Sequence, residues 1–354
     1  MSNSKKTNQG TSRRAFLYQS SLASIGVLLT GKSAMASNSL FAAQLPNSKV
    51  NGVQIGVITY SFRSMPGSAE QLLKYCVSAG ISAIELMGDP AEVFAGSPVG
   101  LMPAMKFPPP PPPPPPVPGQ PVKPMMPPPE FMKMMEERNA KARTWRETAS
   151  MDKFVELRKM FNDAGITIYA FKPDAALGMK STDAEIDYAM RAAKALGATS
   201  VNVELPTNAD HSKRLGEFGL KHKVYVGYHA HTQATDTIWD LALSQSPYNA
   251  INLDCGHYIA AGGANTKETL LAFINKNHAR ITSMHIKDRL SGANGGKNMP
   301  WGQGDTPLKE VLTLLRDQKY KIPATIELEY DIPEGSDAVK ETEKCVKYAK
   351  GLLA

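Results

Sequence analysis

The residues able to do chemistry in this chain lie mostly in its second half, where polar side chains close runs that are otherwise apolar. Glu204 ends Val-Asn-Val-Glu, and Asp254 ends Ile-Asn-Leu-Asp with His257 three residues on. His285 lies in Ser-Met-His-Ile-Lys-Asp, Glu329 closes Ile-Glu-Leu-Glu, and His229 and His231 stand in Tyr-His-Ala-His-Thr. An unpaired carboxylate or imidazole beside a core is costly, so four such groups at matching places point to a shared task. Oxygen donors with one imidazole suit a divalent ion such as Mn, with Mg, Co or Zn as alternatives, better than they suit a thiolate-seeking metal. Taken singly, each acid is equally a loop cap or half of a surface ion pair. His229 and His231 each read as either a substrate contact or a packing residue.

Groups so far apart along the chain need a frame that brings them together. Short apolar runs recur at Ile55–Tyr60, Ile81–Leu86, Ile166–Phe171, Thr199–Glu204, Lys223–Tyr228, Ala250–Asp254, Ile281–Ile286 and Ala324–Glu329. Near-continuous hydrophobicity is what strands covered on both faces show. Amphipathic stretches such as Met151–Ala164 and Thr182–Leu196 separate them, and Ala-Gly-Ile at 79–81 and again at 164–166 marks a helix stop followed by a strand start. Eight such units predict an α/β fold, the (β/α)8 TIM barrel, in which the carboxyl ends of the strands converge on one rim. A doubly wound open sheet is the other arrangement to weigh, but no GxGxxG follows the first run.

One interval breaks the rhythm. A Pro/Met-rich insertion after the second strand, residues 93–148, holds nine consecutive prolines, Pro108–Pro116, and seven of the 17 methionines, among them Met125, Met126, Met132, Met134 and Met135. Nine prolines favour a polyproline II rod of about 28 Å. The interval reads as a lid with a soft apolar wall, as a methionine-rich copper site, or as a partly disordered loop that the barrel tolerates. The methionines lack regular ligand spacing, which disfavours copper.

The 354 residues carry a formal charge of +7, but residues 1–36 hold Lys5, Lys6, Arg13, Arg14 and Lys32 and no acid. The remainder therefore has 35 basic against 33 acidic groups, and this near-neutral body argues against a nucleic-acid partner. Ser-Arg-Arg-Ala-Phe-Leu at 12–17, an uncharged stretch to Gly31 and Ala34-Met35-Ala36 have the order of an export signal and resemble a twin-arginine signal peptide. Expected are a signal over 1–36, a linker over 37–50 and a catalytic domain over 51–354. The exported chain would be periplasmic, with no stable membrane insertion after signal cleavage, and a homo-oligomer is compatible with it. Cys76, Cys255 and Cys345 cannot all pair with one another, which excludes a disulfide-built scaffold.

Leu-Asp-Cys-Gly-His (253–257), Met-His-Ile-Lys-Asp (284–288), Tyr-His-Ala-His (228–231) and Trp-Gly-Gln-Gly (301–304) before Ile-Glu-Leu-Glu-Tyr (326–330) resemble the xylose isomerase-like TIM barrels, the sugar phosphate isomerase/epimerase superfamily. The resemblance runs from about Val50 to the end, without the insertion. It implies one divalent metal held by Glu204, Asp254, His285 and Glu329, with Glu327 as the rival to Glu329 because residues two apart on a strand share a face. It also implies Glu204 and Glu329 as the acid/base pair. His257, His231, Lys172, Lys287, Arg289, Trp301 and Glu327 are the candidate substrate contacts.

The implied reaction removes a proton next to a metal-bound carbonyl of an open-chain sugar and returns one through an enediolate, as an isomerase or epimerase. Export favours free sugars, oxidised sugars or glycosides over sugar phosphates. The same first step would serve a 3-keto-glycoside lyase. A non-catalytic carbohydrate-binding barrel needs no acid/base pair, an endonuclease IV-like nuclease would need more histidines at the rim, and a proline-rich scaffold would need an SH3-like partner outside the cytoplasm.

Overall fold

The computed structural model describes residues 45–101 and 129–354. The expected signal, the linker up to residue 44, the nine-proline run and Met125 and Met126 lie outside the described residues. Among those described, no helix is long and apolar enough to cross a membrane.

The eight apolar runs form eight strands: β1 (Val53–Ile58), β2 (Ala83–Met87), β3 (Thr167–Lys172), β4 (Ser200–Glu204), β5 (Tyr225–His229), β6 (Asn249–Asp254), β7 (Ile281–Ile286) and β8 (Ala324–Ile326). Each pairs in parallel with its neighbours in sequence, and β8 pairs with β1 to close the ring. The fold is a (β/α)8 barrel. Residues that face the surrounding helices, such as Ile55, Val57, Ile84, Leu86, Val201, Ile251 and Leu253, are fully buried. Each contributes roughly 1.5–3 kcal/mol through its removal from water.

Local signals set the helix ends. Ser68 with Gln71 and Thr182 with Glu185 form capping boxes that start the helices Ala69–Ser78 and Asp183–Leu196. Gly80 and Gly165, the glycines of the two Ala-Gly-Ile repeats, take φ values of +70° and +77°, the left-handed turn that releases the chain into a strand. Upstream of β1, Lys49–Val50 pairs back on Val53–Gln54, so the expected linker ends in a small hairpin rather than in open chain.

The interval expected to be a partly disordered insertion contains a twenty-residue helix, Pro129–Thr148. Its composition is rich in Glu, Lys, Arg, Met and Ala, all good helix formers, and a proline opens it. Sequence periodicity misses it because Ala142 and Arg146 are its only fully buried residues. Arg146 holds it to the barrel: Nε and Nη2 donate to Glu92 at 2.8 and 3.0 Å, and Nη1 donates to Glu185 at 3.2 Å.

Inside the ring the side chains are unusually polar, and they satisfy one another. Tyr169 and Thr325 share a 2.6 Å hydrogen bond across the lumen. Ser283 Oγ accepts from Asn202 at 3.3 Å and from Asn252 at 2.8 Å. This fully bonded floor carries the residues above it.

Candidate metal centre

Strand alternation delivers the site. On β7, Ser283 belongs to the polar floor, so His285 and Lys287 point the same way one and two steps higher. On β8, Thr325 is on the floor, and Glu327 and Glu329 follow at the same spacing. The ladder continues past the strand end, with Glu327 N–H donating to Ile286 O at 3.3 Å. The register sets Thr325 opposite His285 and brings Glu327 level with Lys287. Glu327 touches both His285 and Lys287, and Glu329 meets Lys287 one step higher.

His285 is 1% exposed and held at both ring nitrogens: Nδ1 lies 3.1 Å from Glu327 Oε2 and Nε2 lies 3.0 Å from Glu85 Oε2. Burial alone would lower its pKa, but Glu327 and Glu85 outweigh that and hold it up at about 10. Asp254 Oδ2 is 3.8 Å from His285 Nδ1. The other Asp254 oxygen accepts from His257 N–H at 2.6 Å, starting the helix Cys255–Ala261. That bond explains the Asp-x-x-His spacing, since the cap that fixes the carboxylate also aims His257 inward.

Lys287 Nζ stands among three carboxylates, 3.0 Å from Asp254, 2.7 Å from Glu327 and 2.6 Å from Glu329, with His257 Nε2 at 3.1 Å. It reaches that place because residue 256 is glycine: a Cβ there would lie 2.8 Å from the Lys287 carbonyl and overlap its side chain. Burial would lower the lysine pKa, yet the three carboxylates raise it, so the ammonium keeps its charge. Lys287 and His285 in turn hold Glu327 well below the usual carboxylate range despite its burial.

Three imidazoles complete the mouth. His229 Nδ1 is 2.8 Å from Asn252 Oδ1, and because the Asn252 amide donates to Ser283, the histidine must donate here and leave Nε2 with a free lone pair. Burial and the neighbouring charge of His285 keep His229 neutral. Its ring lies 4.9 Å from those of both His231 and His285, and the rings of His231 and His257 are 4.6 Å apart. Burial and Lys287 drive the His257 pKa far down, so it is neutral as well.

At the opposite side of the ring, Glu204 is half exposed and pairs with Lys172 at 3.2 Å, and Lys172 also meets Asp174 at 3.1 Å. Glu204 Oε2 lies 3.7 Å from His231 Nε2, which links this rim to the histidines.

A divalent ion fits this arrangement. Ligand atoms of His229, Asp254 and His285 lie within 4.8 Å of one another, as do those of His229, His231 and His257. Asp254 Oδ2 and Glu85 Oε1 are buried and accept no hydrogen bond, although Lys287 stands near the first. Burial pushes the Asp254 carboxyl up to about 6 against the pull of Lys287. Glu85, Asp254, Glu327 and Glu329 thus crowd together with a lysine and a protonated histidine as their near cations. Hard oxygens, neutral imidazole nitrogen and excess negative charge are what a Mn-like dication would relieve.

A family model described as the xylose isomerase-like TIM barrel matches residues 130–348, more than half of the chain. The chain belongs to that family. Similar solved structures include a sugar phosphate isomerase/epimerase from Parabacteroides distasonis ATCC 8503, 17% identical, with a TM-score of 0.52 over 90% of this chain and 100% of that one. D-psicose 3-epimerase from Clostridium cellulolyticum H10 is 10% identical, with a TM-score of 0.52 over 85% and 99% of the two chains. The probable 3-DHS dehydratase of petrobactin synthesis from Bacillus anthracis is 15% identical, with a TM-score of 0.53 over 83% and 98%. At such identities the likeness is one of fold. No curated protein matches the chain in sequence.

The residues that the xylose isomerase-like resemblance implies fall in four places. Asp254, His285, His257, Lys287 and both strand-eight glutamates meet at the centre; of the two glutamates, Glu327 is the one on His285, while Glu329 sits a step higher on Lys287 and 3.8 Å from His257. Glu204, Lys172 and His231 form the opposite rim, where Glu204 pairs with Lys172 and His231. Arg289 is hydrogen-bonded to His257 Nδ1 and to Gly296 O, behind the centre. Trp301 joins the hydrophobic core and packs edge-on to the exposed Tyr348 at 6.2 Å. The Trp-Gly-Gln-Gly motif earns its shape from Asp288, whose carboxylate accepts from the backbone N–H groups of Gly302, Gln303, Gly304 and Thr306.

Glu85 and Asp174 were not foreseen. The signal for Glu85 was present, a single carboxylate in the apolar run Ala-Ile-Glu-Leu. Asp174 follows a proline at the end of β3 and carried no pattern.

Proposed function

We propose that this chain is a divalent-metal-dependent enzyme that transfers a proton at the carbon next to a sugar carbonyl, as an isomerase or epimerase. The observation that carries this reading is the convergence of Asp254, His285 and His229 around Asp254 Oδ2, a buried carboxylate oxygen whose near cation is Lys287 at 3.0 Å. Asp254, His285 and Glu327 would hold the ion, with His229 Nε2 in reach and with Mn the best match to the donors, before Mg, Co or Zn. When bound, such an ion polarises the carbonyl and acidifies the neighbouring C–H.

The proton chemistry belongs to the protein. Glu204 ends β4 and Glu329 follows β8, four strands apart in a ring of eight, so the two carboxylates face each other across the mouth. One removes the proton from one face of the sugar and the other returns it from the opposite face. Lys172 pairs with Glu204 at 3.2 Å and Lys287 with Glu329 at 2.6 Å. His231 at the rim and His257 at the centre would receive sugar hydroxyls.

The arginine pair in the first 36 residues supports export by the twin-arginine route to the periplasm, and export favours free sugars, oxidised sugars or glycosides. A 3-keto-glycoside lyase is the second reading. It shares the first proton abstraction, and one structural neighbour is a dehydratase, a protein named for an elimination. Incubation of the metal-loaded protein with ketoses and with 3-keto-glycosides in heavy water tests both. Deuterium should enter next to the carbonyl, and Glu204→Gln should abolish it. No exchange and no turnover with either class would reject the enzyme reading and leave a sugar-binding barrel.

A further inference from the structure

We infer that the barrel mouth carries a second, apolar subsite beside the metal centre, shaped for the apolar, ring-bearing aglycone of a glycoside. The inference deepens the function proposed above and relies on it for the sugar end alone.

The subsite is a cavity of about 660 Å³ among the connections that follow β1, β2 and β3, roofed by the helix Pro129–Thr148. That size lies within the ~300–1,000 Å³ typical of small-molecule pockets. Its walls are mainly apolar: Tyr60, Phe62, Met65 and Met87 from the barrel, Phe131 and Met135 from the helix. Phe131 and Met135 are one helical turn apart and half-buried, whereas Met132 and Met134 beside them are 48% and 42% exposed. The helix therefore presents one chosen face to the cavity. That face also carries Asn139, Ala142 and Arg146, and the buried Arg146–Glu92–Glu185 network anchors it, so the roof is a fixed wall.

The cavity and the catalytic rim are continuous. Lys172 lines the cavity while its Nζ contacts Glu204. Tyr60 lines it too, close enough to Glu329 and Glu327 for their charges to bear on its phenol. The Tyr60 ring is held by Arg63, whose guanidinium lies 4.5 Å above it and donates to Leu328 O. A molecule with one polar end and one apolar end matches both halves at once. Apolar side chains dominate the walls, although Arg63, Gln71, Asn139 and Asp174 also line them, so an apolar ring gains more from burial there than a hexose does.

The test compares phenyl β-glucoside with methyl β-glucoside, titrated calorimetrically into the metal-loaded, full-length protein. The phenyl compound should bind at least about tenfold more tightly, as burial of a ring in an apolar pocket requires. Met135→Glu and Phe131→Ser should each remove that preference while leaving methyl glucoside binding and metal uptake as they were. Equal affinities, no binding of either glycoside, or a preference that survives both substitutions would overturn the inference. A preference that holds in a protein showing no deuterium exchange would support the subsite and sink the proposed reaction.

Discussion

Glu85 and His285, 200 residues apart in sequence, share a 3.0 Å hydrogen bond beneath the barrel mouth. With Glu327 on the other nitrogen, the imidazole of the metal-free protein is a buried cation, and its pKa of about 10 exceeds the ordinary 6.5. A raised histidine pKa stabilises the fold fully below the unfolded value and progressively less as pH climbs toward the folded value. The metal-free protein should therefore lose stability between about pH 7 and 10, and Glu85→Gln should flatten that slope and bring the His285 pKa down. Thermal melts across this range, with nitrogen-15 shifts of the imidazole, measure both; an unchanged slope would show that Glu85 does not charge the ring.

Asp254 has the opposite sign. Its carboxyl is raised from 3.8 to about 6, so its contribution is favourable at low pH and is lost as pH rises through 6, where the charged form is disfavoured by burial. Asp254→Asn should stabilise the metal-free protein by about 1–3 kcal/mol at pH 7.5 while removing the stabilisation that added Mn²⁺ gives the parent. Denaturant titrations with and without Mn²⁺ decide it. A variant less stable than the parent without metal would mean that the Lys287 pairing outweighs the burial cost.

Arg146 is the most buried tie of the helix over the cavity. Arg146 and Glu92 are both nearly inaccessible, so Arg146→Met leaves the Glu92 carboxylate buried without its cation and should cost about 3–5 kcal/mol, while Glu185 keeps Arg143 at 3.1 Å. Arg138→Ala breaks a more exposed pair with Asp89 and should cost less than about 1 kcal/mol. Chemical denaturation of the two variants side by side gives the comparison, and equal losses would contradict it.

These expectations show what a one-dimensional reading can and cannot reach. The eight strands were legible because each packs apolar side chains against the helices, as Ile251 and Leu253 do, with few polar residues between them. Asp254, His257, His285 and Lys287 were legible because a polar residue at the end of such a run has few structural uses. Two glutamates spaced by two, however, look alike in sequence, and only the height of Thr325 on the barrel floor tells Glu327 from Glu329. The partnership of Glu85 with His285 depends on strands two and seven facing one another through the lumen, which no local pattern encodes. His229 looked like either a rim or a core residue until Asn252 fixed its tautomer.

The central claim is that Asp254 and His285 gather around a divalent ion. Calorimetric titration of Mn²⁺ into the chelator-treated protein tests it most directly, with Asp254→Ala and His285→Ala run alongside. The account predicts one ion per chain in the parent and at least about a tenfold to hundredfold weaker uptake in each variant. Uptake that is absent from the parent, or undiminished in both variants, would contradict it.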